Sequence, residues 1–186
     1  MHHKVIALAI ALLGVVACAP PVSHATVVVG GRDIATLTRS SDLVVVGVVV
    51  REGGTRNLVR DPYDLAREHQ TLVGVAQDYE VSVEASLKGG AAGQILVTNA
   101  RSMGKRGGEQ VTNERFVPLV VGKRYMLFAT RLPFEPSTYV LSFEPSQFEL
   151  TGSAAVRSNW NEATTLFPVR PTGQFLNEVR TAAANP

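Results

Sequence analysis

Apolar and polar positions divide the chain into short blocks with different periods. Arg32 to Ser40 places Ile34, Leu37 and the stem of Thr38 at i, i+3, i+4 spacing, which predicts a short helix. Leu43 to Val50 is apolar without interruption and rich in valine, so it predicts a strand covered on both faces. Gly47 in its middle predicts a bulge or a sharp bend. Thr71 to Lys88 is a second strand. Within it Tyr79, Val81, Val83, Ala85 and Leu87 alternate with Glu80, Ser82, Glu84, Ser86 and Lys88, one face for a core and one for water. Gly89-Gly90 ends that strand, and Gln94 to Asn99 predicts a third. From Arg124 to Thr130, Tyr125, Leu127 and Ala129 alternate with Met126 and Phe128. Shorter strands are predicted at Thr138 to Phe143, at Phe148 and Leu150, and at Ala154 to Val156. Gln174 to Ala182, with Phe175, Leu176 and Val179 on one side, predicts a closing helix.

Two polar stretches interrupt this pattern. Arg51 to Gln70 carries Gly53-Gly54 and Asp61-Pro62, and Tyr63 to His69 within it reads as one or two helical turns. Arg101 to Glu114 is a second polar loop, rich in glycine and basic residues. Many short strands with turn signals between them, and a helix near each end, predict a mainly β fold: a small barrel or sandwich.

Composition changes the picture mostly at the N-terminus. Met1-His2-His3-Lys4 is a short basic start, and Val5 to Val16 is an almost unbroken apolar stretch. It falls short of the roughly 20 apolar residues that a membrane span needs. A basic head, an apolar middle and small residues at the end make a secretory leader. The stretch ends in Val15-Val16-Ala17-Cys18, which resembles the lipobox of bacterial lipoproteins. That resemblance implies a diacylglycerol (with further acylation such as palmitate) on Cys18 and removal of residues 1–17. Residues 18–25 then form a tether and residues 26–186 a single domain. It also implies a domain on the extracytoplasmic side of the cell membrane or outer membrane, held there by its lipid. Ordinary cleavage after Ser23-His24-Ala25, with Cys18 discarded, is the other reading of the leader.

Cys18 is the single cysteine, so the exported domain holds neither a disulfide nor a thiol nucleophile. A hydrophobic content of 45% against 18% charged residues points to a folded core. Loss of Lys4 with the leader leaves 17 basic and 16 acidic residues, a net charge of +1. Nucleic acid is therefore not an expected partner.

Three segments carry a second resemblance. They are Ser41-Asp42 before the valine-rich strand, Tyr79 to Leu87 ending in Lys88-Gly89, and Gly122-Lys123-Arg124-Tyr125 opening Met126 to Ala129. Together they resemble the netrin-like superfamily, which includes tissue inhibitors of metalloproteinases. The resemblance implies an OB-like five-stranded β-barrel with short flanking helices. The inhibitors' zinc chelation through a free N-terminal cysteine does not carry over, because Cys18 is committed to the anchor.

Catalytic constellations are scarce. After processing, His24 and His69 are the histidines left, and neither lies in a metal-ligand pattern, so no metal and no cofactor are expected. A Ser-His-Asp triad would have to use His69. No Gly-x-Ser-x-Gly elbow is present, and Ser153 reads as a turn residue. Glu80 with Glu84, and Asp61 with Asp64, read as solvated surface. The basic cluster Arg101, Lys105 and Arg106 is the candidate binding site, facing anionic head groups, a cell-wall polymer or an envelope protein. Phe134 and Trp160 are candidate exposed aromatics. The expected function is a non-enzymatic binding or interaction module at the cell envelope. The alternatives are an envelope hydrolase using carboxylates or Ser/His69, and an inhibitor or modulator of an envelope enzyme acting through Arg51 to Gln70.

Overall fold

A computed structural model describes residues 33–112, 116–141, 146–152, 155–158 (backbone) and 169–185. The leader, Cys18, the tether, Phe143, Ser153, Trp160 and Phe167 lie outside the described residues.

The chain enters through α1 (Ile34–Ser40), whose N-cap Asp33 accepts a hydrogen bond from the Thr36 amide at 2.7 Å. That bond holds the Asp33 carboxyl below its ordinary pKa. β1 (Leu43–Asn57) pairs antiparallel with β4 (Leu72–Lys88), and β4 with β5 (Gln94–Lys105). β5 then pairs in parallel with β8 (Glu135–Leu141). β8 pairs with β7 (Arg124–Leu132), and β7 returns to β1, so five strands close a ring. β9 (Gln147–Thr151) and β10 (Ala155–Ser158) extend the sheet from β7, and α2 (Thr172–Ala184) closes the chain. Among the described residues the architecture is mainly β with two short flanking helices, as the hydrophobic pattern predicts.

The valine run explains the ring. Leu43, Val45 and Val49 point inward with Tyr79, Val81, Val97, Tyr125, Leu127, Ala129, Tyr139 and Leu141. Val44 and Val46 point outward to Met126, Phe128, Phe148 and Leu150, and this second layer is roofed by Ile34 and Leu37 of α1 and Phe175 and Val179 of α2. One strand thus serves two cores, which is why no polar residue interrupts it. Gly47 lies where β4 comes closest. A Cβ there would sit 2.6 Å from the Ser82 carbonyl oxygen, and the register with β4 shifts at the same point. Phe148 ties the outer layer together, with ring centroids 5.6 Å from Phe128 in an edge contact and 4.9 Å from Phe175.

Both polar stretches are more ordered than their composition predicts. β1 continues to Asn57, and Tyr63 to His69 is not helical. It forms β3 (Asp64–Glu68), paired with β2 (Arg60–Asp61) in a hairpin. Helical periodicity is absent there, and local side-chain bonds set the turn instead: Asp61 accepts from the Tyr63 amide and Asp64 from the Ala66 amide. The Arg101 to Glu114 loop is likewise strand for most of its length. β5 runs to Lys105 and turns back into β6 (Gln110–Thr112). Beyond the ring, β1, β4, β5 and β6 continue as a ribbon, with the β2–β3 hairpin folded against it; we call this ensemble the arm.

Candidate functional site

The arm is fastened to the ring by charge. Arg56 gives Asp78 a two-pronged grip, Nε to Oδ1 at 2.7 Å and Nη2 to Oδ2 at 2.8 Å, and its Nη1 also meets Glu135. Thr138 completes the cluster by donating to Glu135 at 2.7 Å. Asp78 is buried, and the hydrogen bond to it raises the Arg56 pKa. Beside this group the Arg60 guanidinium stacks over the Phe134 ring at 4.3 Å from its centroid. Phe134 is therefore half-buried under an arginine and is not an exposed aromatic.

A second set of bonds folds the hairpin onto the ribbon. The Asn57 side-chain oxygen accepts from the Val59 and Gly74 amides, and its amide group reaches Glu68. Glu68 also accepts from Arg106 at 2.7 Å, and these partners, Arg106 first, hold its carboxyl below the ordinary value. Val59 rests on Gly74 so closely that a Cβ there would lie 2.9 Å from its methyl.

The three predicted basic residues have different places in this arrangement. Arg106 belongs to the fastening: its side chain holds Glu68 and its amide donates to the Thr71 carbonyl. Arg101 and Lys105 are exposed and have no charged partner among the described residues. Arg101 is the extra residue of a bulge, since Val75 pairs with Ser102 while Ala76 pairs with Ala100.

The candidate catalytic groups are occupied. The His69 Nδ1 accepts from the Thr71 and Leu72 amides, so this ring shapes a turn and no serine bonds to it among the described residues. Glu80 is paired with Arg51, which lowers its pKa, and Glu84 with Arg124 at 2.6 Å. Asp64 is paired with Arg67 at 3.0 Å, and Asp61 is the turn acceptor described above. Among the described residues no three His, Cys, Asp or Glu side chains converge as metal ligands. No helix among them is long and apolar enough to cross a membrane.

The hydropathy pattern missed the apolar side chains that the arm leaves in water. Tyr63 at the hairpin turn is 86% exposed, Val111 72% and Met103 57%, and Leu65 and Leu72 are also exposed. Register places several of them on one face. Gly74 pairs with Met103 and Met103 with Val111, so Val59, Met103 and Val111 form an apolar row across the ribbon, with Leu72 and Lys105 one step along. These residues sit singly among polar ones in sequence, and only strand pairing assembles them.

Elsewhere a groove of about 910 Å³ runs between α1 and α2, walled by Asp33, Ile34, Arg39, Gln174, Glu178 and Thr181. Asp33, where residues 1–32 join the described fold, is part of its wall. No protein-family model matches the chain, and no curated protein matches it.

Proposed function

We propose that this chain is an exported, lipid-anchored interaction module without an enzymatic reaction of its own, which meets a protein partner at the cell envelope through the arm. The observation that carries this reading is the exposure of Tyr63, Met103 and Val111 on a substructure pinned by the Arg56–Asp78 and Arg106–Glu68 pairs. Apolar groups held in water on a pinned frame favour a contact surface, because the cost of ordering is met before the partner arrives. The anchor at Cys18 rests on the lipobox alone. The chain enters the fold at α1, beside the start of β1, whereas the arm grows from the far end of that strand. A reach of 3.2–3.4 Å per strand residue supports a partner away from the anchored end.

Modulation of an envelope enzyme is a second reading favoured by the same frame, since an inhibitor presents a preorganised surface. Polymer binding through the Arg101 cluster and inhibition through the Arg51 to Gln70 segment use one structural unit, because Arg106 joins the two segments. Deleting either therefore disturbs both.

Site-specific photo-crosslinking in cells, at native expression, tests the reading. A photoreactive residue at position 63 or 111 is expected to capture a discrete protein, and one at the exposed position 174 on α2 is not. Equal capture from all three positions, or capture from none, overturns the reading. Palmitate labelling lost in Cys18→Ser tests the anchor separately.

A further inference from the structure

The two long edges of the arm are built differently. One is the outer side of β1 from Val50 to Asn57. It carries Arg51, Glu52 and Arg56, and its register with β4 slips at Val49/Arg51 and again at Glu52/Thr55. Charges and bulges of this kind prevent another strand from adding. The other edge is β6. Its residues Gln110, Val111 and Thr112 are uncharged, and its pairing with Ser102 to Gly104 has no slip. No described strand pairs with the far side of β6, and its backbone makes no other hydrogen bond among the described residues. The β5–β6 contact is close: a Cβ on Gly104 would lie 2.8 Å from the Gln110 Cα, so the edge is held firmly against its neighbour. Val111, the middle residue, is 72% exposed beside Met103.

A strand edge of this kind has a defined chemical complement. Its outward amides and carbonyls alternate and need an extended backbone to satisfy them, and the Val111–Met103 step offers an apolar side chain of that backbone a neighbour on the same face. With Arg106 engaged by Glu68, the segment 101–112 keeps Arg101 and Lys105 against Glu109, an excess that favours acidic flanks over basic ones. We propose that β6 receives an extended segment of a partner protein, which adds as a further strand with an apolar residue beside Val111 and acidic residues flanking it. This rests on the interaction-module reading and specifies the partner's form.

The test uses the full chain and three fluorescein-labelled synthetic peptides read by anisotropy: Glu-Thr-Val-Thr-Val-Thr-Glu, the same peptide with lysine at both ends, and the acidic peptide with proline at its centre. The acidic peptide is expected to bind at least about tenfold more tightly than the proline peptide, which cannot complete a ladder, and more tightly than the lysine form. Val111→Lys, at a site too exposed to disturb folding, is expected to weaken the acidic peptide by about tenfold with an unchanged melting temperature. Three results overturn the proposal: no binding of any peptide, equal binding of the acidic and proline peptides, or a concentration-dependent dimer in sedimentation that Val111→Lys abolishes. If peptide binding fails while crosslinks from position 63 or 111 persist, strand addition is wrong and the interaction reading stands. If the crosslinks fail too, both are wrong.

Discussion

β1 is two strands in character. From Leu43 to Val49 nearly every side chain is buried, serving the ring on one face and the helices on the other. From Val50 to Asn57 the same strand is largely exposed and is held by ion pairs, with a pair of glycines at its slip in register. The first half is stabilised by removal of apolar area from water, at about 25 cal/mol per Å², and tolerates no error in packing. The second half is positioned by directional polar contacts, most of them partly solvated, which fix geometry more than they add stability. Substitutions at the two ends should therefore fail in different ways.

The sharpest contrast comes from Phe148→Ala. Phe148 is 1% exposed between Phe128 and Phe175, so its loss is expected to destabilise the whole domain by about 3–5 kcal/mol, read as a lower denaturation midpoint. Arg56→Ala comes next. It leaves the buried Asp78 without its partner, at a cost of about 2–3 kcal/mol once partial exposure is allowed for, and should loosen the arm more than the ring in hydrogen exchange. A Phe148-sized loss spread evenly over the domain would erase the distinction between the two halves. Lys88→Met is expected to cost about 1 kcal/mol in thermal melts, because Lys88 Nζ donates to the Thr38 and Arg39 carbonyls at the end of α1.

Smaller still is Arg106→Ala, whose exposed pair with Glu68 should leave the melting temperature nearly unchanged while exchange in residues 58–71 accelerates. Acid should reproduce this effect. The Glu68 carboxyl is held below its ordinary value in the folded state, so its contribution is complete above the unfolded carboxylate range and is lost as pH falls through the folded pKa. Tyr79 gives the opposite sign. Burial pushes its hydroxyl up to about 12, and the Leu119 amide approaches it without completing a hydrogen bond. The unfolded tyrosine ionises near 10, so stability falls as pH rises from about 10 through 12. Tyr79→Phe should remove that alkaline loss while leaving the neutral-pH midpoint nearly unchanged. An alkaline limb that persists in Tyr79→Phe would assign it to another group.

Most of the ring was legible in sequence because burial imposes a period. The two faces of Leu43 to Val49, the alternation at Tyr79 to Leu87 and at Tyr125 to Ala129, and the helix faces of Ile34/Leu37 and Phe175/Val179 all follow from it. Of the arm, the β4 part was legible within Thr71 to Lys88, but the continuation of β1 to Asn57, the β2–β3 hairpin and the β5–β6 turn were not, because contacts across 22 to 79 positions, such as Arg56 with Asp78 and Glu135, hold that region. Local polarity there reads as loop. The basic cluster was visible as a cluster, but its division into a fastening residue, Arg106, and two exposed ones with no charged partner among the described residues was not.

Asp42, Lys88-Gly89 and the end of β7 come together at one corner of the ring. Asp42 accepts from the Arg131 amide at 2.9 Å and donates its own amide to the Ala129 carbonyl. Lys88 holds the end of α1, and Gly89, at φ +85, passes so near Asp42 that a Cβ would lie 2.5 Å from its carbonyl oxygen. These residues make a joint, and they describe a way of building the ring more than anything the ring does.

Ring closure also sets the order in which the protein can form. Leu43 pairs with Ala129, and the outer face of β1 is roofed by Phe175 and Val179. The first strand of the ring to be synthesised is thus the one whose partners come late. Such high contact order makes folding slow and late, and leaves a bare valine-rich strand waiting for the C-terminus. A chain truncated before α2 should accumulate as a sticky, protease-sensitive species, so the final helix determines whether the rest of the chain reaches its fold.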